Sequence, residues 1–170
     1  MIEIVIGDIT NLAVDAVVNA ANGALRGGGG VDGAIHQAAG PQLLTELKLF
    51  PGCATGDAVI TRGYRLPAKY IIHAVGPVWH GGVNYEASLL AKTYESAFAR
   101  AKEAGDIKTI AFPAISTGVY HFPKAEAAMI AVRSMVGHER EYKRIVACAY
   151  DDVAAAFYKD ALGTMRMRKL

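Results

Sequence analysis

Short apolar runs constrain the fold of this chain more than any other feature. Three of them carry almost no polar residue, which is typical of strands covered on both faces: Tyr70–Ala74, Thr109–Phe112 and Arg144–Tyr150. Further strands are predicted over Ile2–Ile6, Ala16–Val18 and Asp57–Thr61. Helical segments lie between these runs, and the alternation predicts an α/β fold, a three-layer α/β/α sandwich. Because little helix separates the opening strands, we expect a mixed sheet.

Apolar periodicity and end signals place the helices. The clearest covers Glu86–Ala104, where Leu90, Tyr94 and Ala97 share one face and Gly105 follows the last turn. The other helices are predicted over Val31–Ala39, Gln42–Phe50, Pro123–Val136 and from Asp151 or Asp152 to Gly163. The sequence therefore predicts a single domain over residues 1–165, followed by a short, solvated basic tail over residues 166–170.

Composition narrows the classes of function. At 170 residues and 52% hydrophobic content, the chain suits one folded domain and is not disordered. Its net charge of +2 argues against a broad nucleic-acid-binding face. Cys53 and Cys148 lie far apart without metal-ligand spacing, so free thiols in a reducing cytoplasm are expected. The N-terminus is predicted to be a strand and not a signal peptide, and no apolar run is long enough to span a membrane.

A run of four glycines, Gly27–Gly30, separates a predicted strand from a predicted helix. Ordering glycine is entropically costly, so the run indicates close approach of bare backbone to a ligand. Strand, glycine loop and helix start together form a cradle of amides for phosphate oxygens. The Gly28-x-Gly30-x-x-Gly33 spacing also matches a dinucleotide fingerprint, but the loop is long and the acidic residue expected about 20 positions later is misplaced. A purely structural loop is the remaining alternative.

Two polar side chains flank this loop, Asn22 before it and Asp32 after it. Asp32 at a helix start is either a favourable partner of the helix dipole or a general base beside the ligand. His36 lies one turn further along the same face, and we interpret it as a structural or hydrogen-bonding histidine. No third ligand stands at metal-binding spacing, so no metal is expected.

A second loop, Pro113–Phe122, follows the strand that ends at Phe112. Ala114-x-Ser116-x-Gly118 resembles a nucleophile elbow, but no histidine follows His138 to complete a triad, and the helix begins only at Pro123. We therefore interpret the segment as a second amide-rich loop, with Tyr120 available to pack on a sugar.

Two residues at strand ends are candidates for an adenine site. Asp8 follows the first predicted strand, where it either caps a turn or accepts a hydrogen bond from the exocyclic amine of adenine. Tyr150 ends the last predicted strand, where it is either a rim aromatic or a stacking face.

These motifs together resemble macrodomains of the MacroD type, and among them the bacterial O-acetyl-ADP-ribose deacetylases most closely. The similarity covers about residues 3–158 in five blocks: Gly7–Thr10, Asn19–Asn22, Gly27–Gly33, His73–Pro77 and Ala111–Tyr120. It implies a mixed, six-stranded α/β/α fold with a cleft for ADP-ribose. It also implies a hydrolase of O-acetyl-ADP-ribose that needs no cofactor or metal and that often removes mono-ADP-ribose from aspartate or glutamate. The implied partners are ADP-ribose, its O-acyl esters and mono-ADP-ribosylated proteins, with no role for a membrane.

The resemblance also implies roles for individual residues. Asp8 and the backbone of Ile9 would meet adenine, and Asn22 would hold the distal ribose. Gly30, Val31 and Asp32 would line that ribose, with Asp32 as the catalytic carboxylate and Asn22 assisting. The diphosphate would be wrapped by Ser116, Thr117, Gly118, Val119 and Tyr120.

The chain departs from the family pattern at His121, where glycine is usual. If the backbone there has a positive φ, the histidine costs about 1 kcal/mol or more. Two other classes of function stay open at this point: a non-catalytic module that reads ADP-ribose, and an RNA-binding accessory, which the near-neutral charge disfavours.

Overall fold

The structure, a computed structural model, describes residues 1–168. Six strands form one sheet in the order β1-β6-β5-β2-β4-β3. Their bounds are Ile2–Ile6 (β1), Ala16–Ala21 (β2), Ala58–Arg62 (β3), Tyr70–Val75 (β4), Thr109–Phe112 (β5) and Arg144–Ala149 (β6). Every neighbouring pair is parallel except β3 and β4, which run antiparallel. The mixed sheet expected from the sequence is confirmed.

Within residues 1–168, five α-helices cover both faces of the sheet. They are Gly30–Ala39 (α1), Gln42–Leu47 (α2), Glu86–Ala104 (α3), Lys124–His138 (α4) and Asp152–Met167 (α5), with short 3₁₀ turns at Ile9–Asn11 and Glu139–Glu141. One core lies between the sheet and α3, α4 and α5, and it includes Val18, Ile72 and Phe98. A second core, with Val17, Ile71 and others, lies between the sheet and α1 and α2. The three-layer arrangement is therefore confirmed.

The alternation of side chains along the central strands decides which residues face α1. Val17 and Ala21 of β2 belong to the core beneath α1, whereas Val18 belongs to the opposite core. Asn19 therefore shares the α1 face with Val17 and Ala21, since successive strand residues alternate between faces. His73 of β4 pairs directly with Asn19. Two polar side chains thus lie side by side under α1.

The end of the chain differs from the sequence prediction. Helix α5 was predicted to end at Gly163 but continues to Met167. Arg166, predicted to belong to a solvated tail, forms a two-pronged ion pair with Glu139, both N···O distances being 2.7 Å. Glycine costs a helix only about 1 kcal/mol relative to alanine, so one exposed glycine did not end it. Met167 is the last residue of α5 and Arg168 is its C-cap, whereas residues 169 and 170 of the predicted tail lie outside the described residues.

The parallel strands bring their carboxyl ends to one edge of the sheet. The segments that follow β1, β6, β5 and β2 carry the residues that the sequence analysis predicts to bind the ligand, and they lie along that edge in this order. In open α/β sheets this is the edge where ligands bind. Among residues 1–168, no helix combines the length and apolar character needed to cross a bilayer.

Candidate functional site at the carboxyl edge of the sheet

The first part of the site lies at the ends of β1 and β6. Asp8 caps the 3₁₀ turn: its Oδ1 accepts hydrogen bonds from Thr10 N at 2.9 Å and Thr10 Oγ1 at 2.6 Å. These bonds, the side-chain one first, hold the pKa of Asp8 below its usual value, so the carboxylate is ionised at neutral pH. Tyr150 follows β6 and is 91% exposed, whereas Ile9 is buried. Asp8 therefore caps the turn through Oδ1, while its Oδ2 has no hydrogen-bond partner among the described residues.

The loop after β5 carries a row of unpaired amides. Among the described residues, none accepts a hydrogen bond from the backbone N–H groups of Ser116 to Tyr120. The loop closes on itself through bonds from His121 N to Gly118 O and from Phe122 N to Ser116 O. These five consecutive residues are those that the resemblance assigns to the diphosphate.

This loop also reaches across the sheet. Trp79 N, in the segment after β4, donates to Tyr120 O at 2.8 Å. A Cβ built at Gly76, immediately after β4, would overlap the hydroxyl of Ser116. Because β2 lies between β5 and β4, the loop crosses the end of β2 and so comes beside the glycine loop. Ser116 itself is buried and has φ +66°, so its side chain packs inward and only its amide is available.

His121 adopts the left-handed conformation that glycine would favour, with φ +60°. The histidine at this position therefore strains the backbone of the loop. We predict that His121→Gly raises the free energy of unfolding by about 1 kcal/mol, because glycine removes the clash of Cβ in this region. Urea denaturation of both proteins measures the difference, and His121→Asn, which tolerates this φ better, should fall between them. A less stable His121→Gly protein would contradict this account.

The glycine loop after β2 is braced by Asn22. Its Oδ1 accepts from Leu25 N at 3.1 Å, and its Nδ2 donates to Gly27 O at 3.1 Å. Nδ2 also lies near Gly28, since a Cβ built there would sit 3.4 Å from that nitrogen. Asn22 therefore shapes the loop, and the second N–H of its Nδ2 has no acceptor among the described residues.

Several amides of this loop are also unpaired. In the part of the chain that the structure describes, no group accepts from the backbone N–H groups of Gly27 to Asp32, and the first bond of this region runs from Gly33 N to Gly29 O. Gly33 has no room for a side chain, because a Cβ there would lie 2.6 Å from Gly28 O. The open amides and the positive end of α1 favour an anion at this place.

Asp32, in the first turn of α1, is buried and holds its two oxygens in different surroundings. Oδ1 accepts from Asn19 Nδ2 at 2.7 Å and lies 3.3 Å from His36 Nε2. Oδ2 has no hydrogen-bond partner among residues 1–168 and lies 3.2 Å from the Cβ position of Gly28. One oxygen is thus fixed by the protein, and the other is available beside the glycine loop. The prediction that His36 is a hydrogen-bonding residue is consistent with its place beside Oδ1.

A buried polar chain extends from Asp32 into the sheet, and the sequence analysis did not identify it. Asn19 Nδ2 lies 3.1 Å from His73 Nδ1, and His73 Nε2 lies 3.0 Å from Thr61 Oγ1. All three side chains are at most 3% exposed. The available signal was a polar residue inside an otherwise apolar strand, since both Asn19 and His73 interrupt such runs.

His73 is uncharged in the folded protein. Burial, and to a lesser extent the nearby His36, lower its pKa from 6.5 to about 3. A buried histidine that cannot take up a proton makes folding sensitive to acid, because the unfolded chain binds the proton near pH 6.5 and the folded chain does not.

We predict that His73 lowers the free energy of unfolding by roughly 1.4 kcal/mol per pH unit as the pH drops below about 6.5. Between pH 7 and pH 5 this amounts to about 2 kcal/mol. Denaturant titrations at both values on wild type and His73→Gln measure it. The glutamine variant should lose much less stability over the same interval, because it has no group that titrates there. An equal loss in both proteins would show that other groups cause the acid sensitivity.

The described residues contain no cluster of three or more histidine, cysteine or acidic side chains that could hold a metal ion. Cys53 and Cys148 are both free thiols, as expected. The groups that the structure brings together at this edge of the sheet include one buried carboxylate, two rows of open amides and one exposed aromatic ring.

Comparison with known proteins is consistent with this geometry. The Macro domain family model matches residues 18–131. A "Macro domain-containing protein" of Ralstonia nicotianae is 56% identical over 94% of this chain and 92% of its own length. An "O-acetyl-ADP-ribose deacetylase" of Salmonella gallinarum is 51% identical over 92% of this chain and 91% of its own.

Solved structures agree with these relatives. An Oceanobacillus iheyensis macrodomain with ADP superposes with a TM-score of 0.92 at 39% identity, covering 99% of this chain and 93% of that one. A Trypanosoma brucei macrodomain in complex with ADP-ribose has a TM-score of 0.87 at 38% identity, covering 95% of this chain and 69% of that one. On the family model, the relatives and the shared fold, this chain belongs to the Macro domain family.

Proposed function

We propose that this protein binds ADP-ribose and hydrolyses O-acyl esters of its distal ribose, with O-acetyl-ADP-ribose as the small-molecule substrate. The observation that carries the proposal is the free Oδ2 of Asp32 beside unpaired amides of the glycine loop. Relatives named O-acetyl-ADP-ribose deacetylase and macrodomain structures holding ADP or ADP-ribose support it.

The order of the segments along the sheet edge supports the placement of the ligand. Adenine would lie at the ends of β1 and β6, against Asp8, the backbone of Ile9 and the exposed ring of Tyr150. The diphosphate would lie between the open amides of residues 116–120 and those of the glycine loop. The distal ribose would then reach Gly30, Val31 and the free donor of Asn22, next to Asp32.

The proposed reaction is hydrolysis with Asp32 as general base. Oδ2 accepts a proton from a water molecule, whose oxygen attacks the ester carbonyl of the acyl group. The tetrahedral intermediate then breaks its bond to the ribose oxygen, which takes up the proton held by Oδ2 and so restores the Asp32 carboxylate. ADP-ribose and acetic acid are released, and the acid loses its proton to solvent to give acetate. Holding the ester at a fixed distance from this water supplies much of the rate, and a general base typically adds 10²–10⁴-fold.

The same chemistry extends to an ADP-ribosyl ester on an aspartate or glutamate of a protein, since the bond broken is also a carboxylic ester of the ribose. We include removal of mono-ADP-ribose from such side chains in the proposal. The proposed reaction uses no cofactor and no metal. We also propose a cytoplasmic location, because cysteines that form no disulfide are typical of a reducing compartment.

A non-catalytic reader of ADP-ribose is the second candidate, and the strained His121 in the diphosphate loop is the observation that favours it. Titration calorimetry with ADP-ribose, followed by an acetate-release assay with O-acetyl-ADP-ribose on the same sample, separates the two. A hydrolase would bind ADP-ribose and would release acetate from O-acetyl-ADP-ribose well above the spontaneous rate. Binding with no acetate release would identify a reader, and absence of binding would contradict both.

A further inference from the structure

The buried side chains of Thr61, His73, Asn19 and Asp32 contact one another in this order, and their hydrogens have one consistent arrangement. Thr61 Oγ1 donates to Arg62 O at 3.1 Å, so towards His73 Nε2 it can only accept. Nε2 must then carry the hydrogen, which leaves Nδ1 as an acceptor. Asn19 Nδ2 has two hydrogens and two acceptors in reach, His73 Nδ1 at 3.1 Å and Asp32 Oδ1 at 2.7 Å.

The opposite orientation of the Asn19 amide is unfavourable. It would place Asn19 Oδ1 against the carboxylate of Asp32 and against the lone pair of His73 Nδ1. In the observed orientation Asn19 Oδ1 is buried without a partner among the described residues, which costs free energy. The two donated bonds therefore hold Asn19 in place against that cost, and the bond to His73 supplies one of them.

We infer that His73 is a positioning residue for the proposed hydrolysis: held as the Nε2–H tautomer by Thr61, it fixes Asn19, which in turn fixes Oδ1 of Asp32 and leaves Oδ2 for the reacting water. This inference rests on the proposed function. His73 and Thr61 belong to β4 and β3 and are buried, so neither touches the substrate. They act only through Asn19 and Asp32.

Position matters here because the carboxylate has one oxygen bound and one free. If Asn19 turned away, Oδ1 would keep only His36 at 3.3 Å, and the carboxylate could rotate about its Cβ–Cγ bond. The two oxygens would then exchange roles. Misplacement of a catalytic group by about 1 Å can cost as much as 10²-fold in rate.

The test removes the acceptor that fixes the tautomer. Thr61→Val leaves the Nε2–H of His73 buried without a partner, which favours moving the proton to Nδ1, where it faces Asn19 Nδ2 as a second donor. Valine suits a β-strand at least as well as threonine, so the fold should survive. Thr61→Ser keeps the hydroxyl and is the rescue variant.

Thr93→Val is the matched control. Thr93 is fully buried in α3 and donates to the backbone oxygens of Val75 and Leu89, but it belongs to the opposite face of the sheet. Thr93→Val removes a buried hydroxyl group just as Thr61→Val does, but Thr93 does not contact the buried polar side chains beneath α1.

We expect Thr61→Val to lower kcat for acetate release about tenfold or more, with the Kd for ADP-ribose changed less than twofold. Thr61→Ser and Thr93→Val should retain kcat within about twofold. Unchanged kcat in a folded Thr61→Val protein would overturn the inference. So would a loss of kcat accompanied by an equal loss of ADP-ribose affinity, since that indicates general distortion of the site.

Nitrogen-15 NMR of the histidine ring gives a readout that does not depend on any variant or on turnover. In the wild-type protein the ring nitrogens of His73 should report Nε2–H and Nδ1 as acceptor, unchanged between pH 5 and pH 8. An Nδ1–H ring would overturn the inference even if the enzyme is active. Absence of acetate release from wild type would instead refute the proposed function, while the NMR result would still decide the tautomer on which the inference depends.

Discussion

Asp32→Asn is expected to lower the rate of ester hydrolysis by 10²–10⁴-fold, the contribution typical of a general base. The amide oxygen of asparagine can still accept the hydrogen bond that Asn19 Nδ2 gives to Oδ1 at 2.7 Å. The shape of the site is thus preserved, and only the ability of Oδ2 to take a proton is lost. The acetate-release assay with saturating O-acetyl-ADP-ribose measures the change, and calorimetry with ADP-ribose should show binding retained.

One control variant keeps this result interpretable. Asp160→Asn, on the exposed surface within α5, neutralises a carboxylate away from the carboxyl edge of the sheet and should leave turnover unchanged. If Asp32→Asn hydrolyses the ester at the wild-type rate, Asp32 is not the base, and the substrate's own phosphate or another group must activate the water. If it loses ADP-ribose affinity together with rate, its role is in binding.

Phe112→Ala is expected to lower the free energy of unfolding by about 3–5 kcal/mol, a large part of the stability of a domain of this size. Phe112 is the last residue of β5 and has no solvent exposure. Its ring lies against Tyr94 and Phe98 of α3, at centroid distances of 5.5 and 5.0 Å. Truncation leaves a cavity between the sheet and α3 at the point where the loop after β5 begins.

Urea denaturation of Phe112→Ala against wild type measures this loss. Leu49→Ala is the control, because Leu49 is also a large apolar residue but is 82% exposed, so its truncation should change stability by less than about 0.5 kcal/mol. A loss below about 1 kcal/mol in Phe112→Ala would mean that the aromatic cluster relaxes into the space. The loop after β5 would then depend less on this core than the structure indicates.

The sequence predicted the parts of the fold that local chemistry determines. Strand β5 and helix α3 have the predicted bounds, because each combines a clear apolar pattern with an end signal. The end of α5 was wrong because the ion pair between Arg166 and Glu139 is a contact between distant segments. Helix α2 ends at Leu47 and not at Phe50, where the final residues form turns beyond the helix.

The candidate site was predictable where it consists of backbone. Runs of glycine and small residues identified both amide-rich loops, and each loop follows a predicted strand, where open α/β sheets bind ligands. The buried partners of Asp32 were not predictable in this way. Thr61, His73 and Asn19 come from three strands, and their contact depends on the order β2-β4-β3 and on the antiparallel register of β3. That information is absent from any one segment.

The order of the strands along the carboxyl edge sets the distance between the two ends of the cleft. From β1 to β2 there are three steps between neighbouring strands, or about 14 Å at roughly 4.8 Å a step. A short molecule such as AMP, anchored by its base at β1, spans only the near part of this distance and stops before Asp32. Under the proposed mechanism, such fragments occupy the adenine end of the cleft as competitors but place no group at Asp32. The separation of β1 and β2 therefore relates the length of a ligand to its access to this carboxylate.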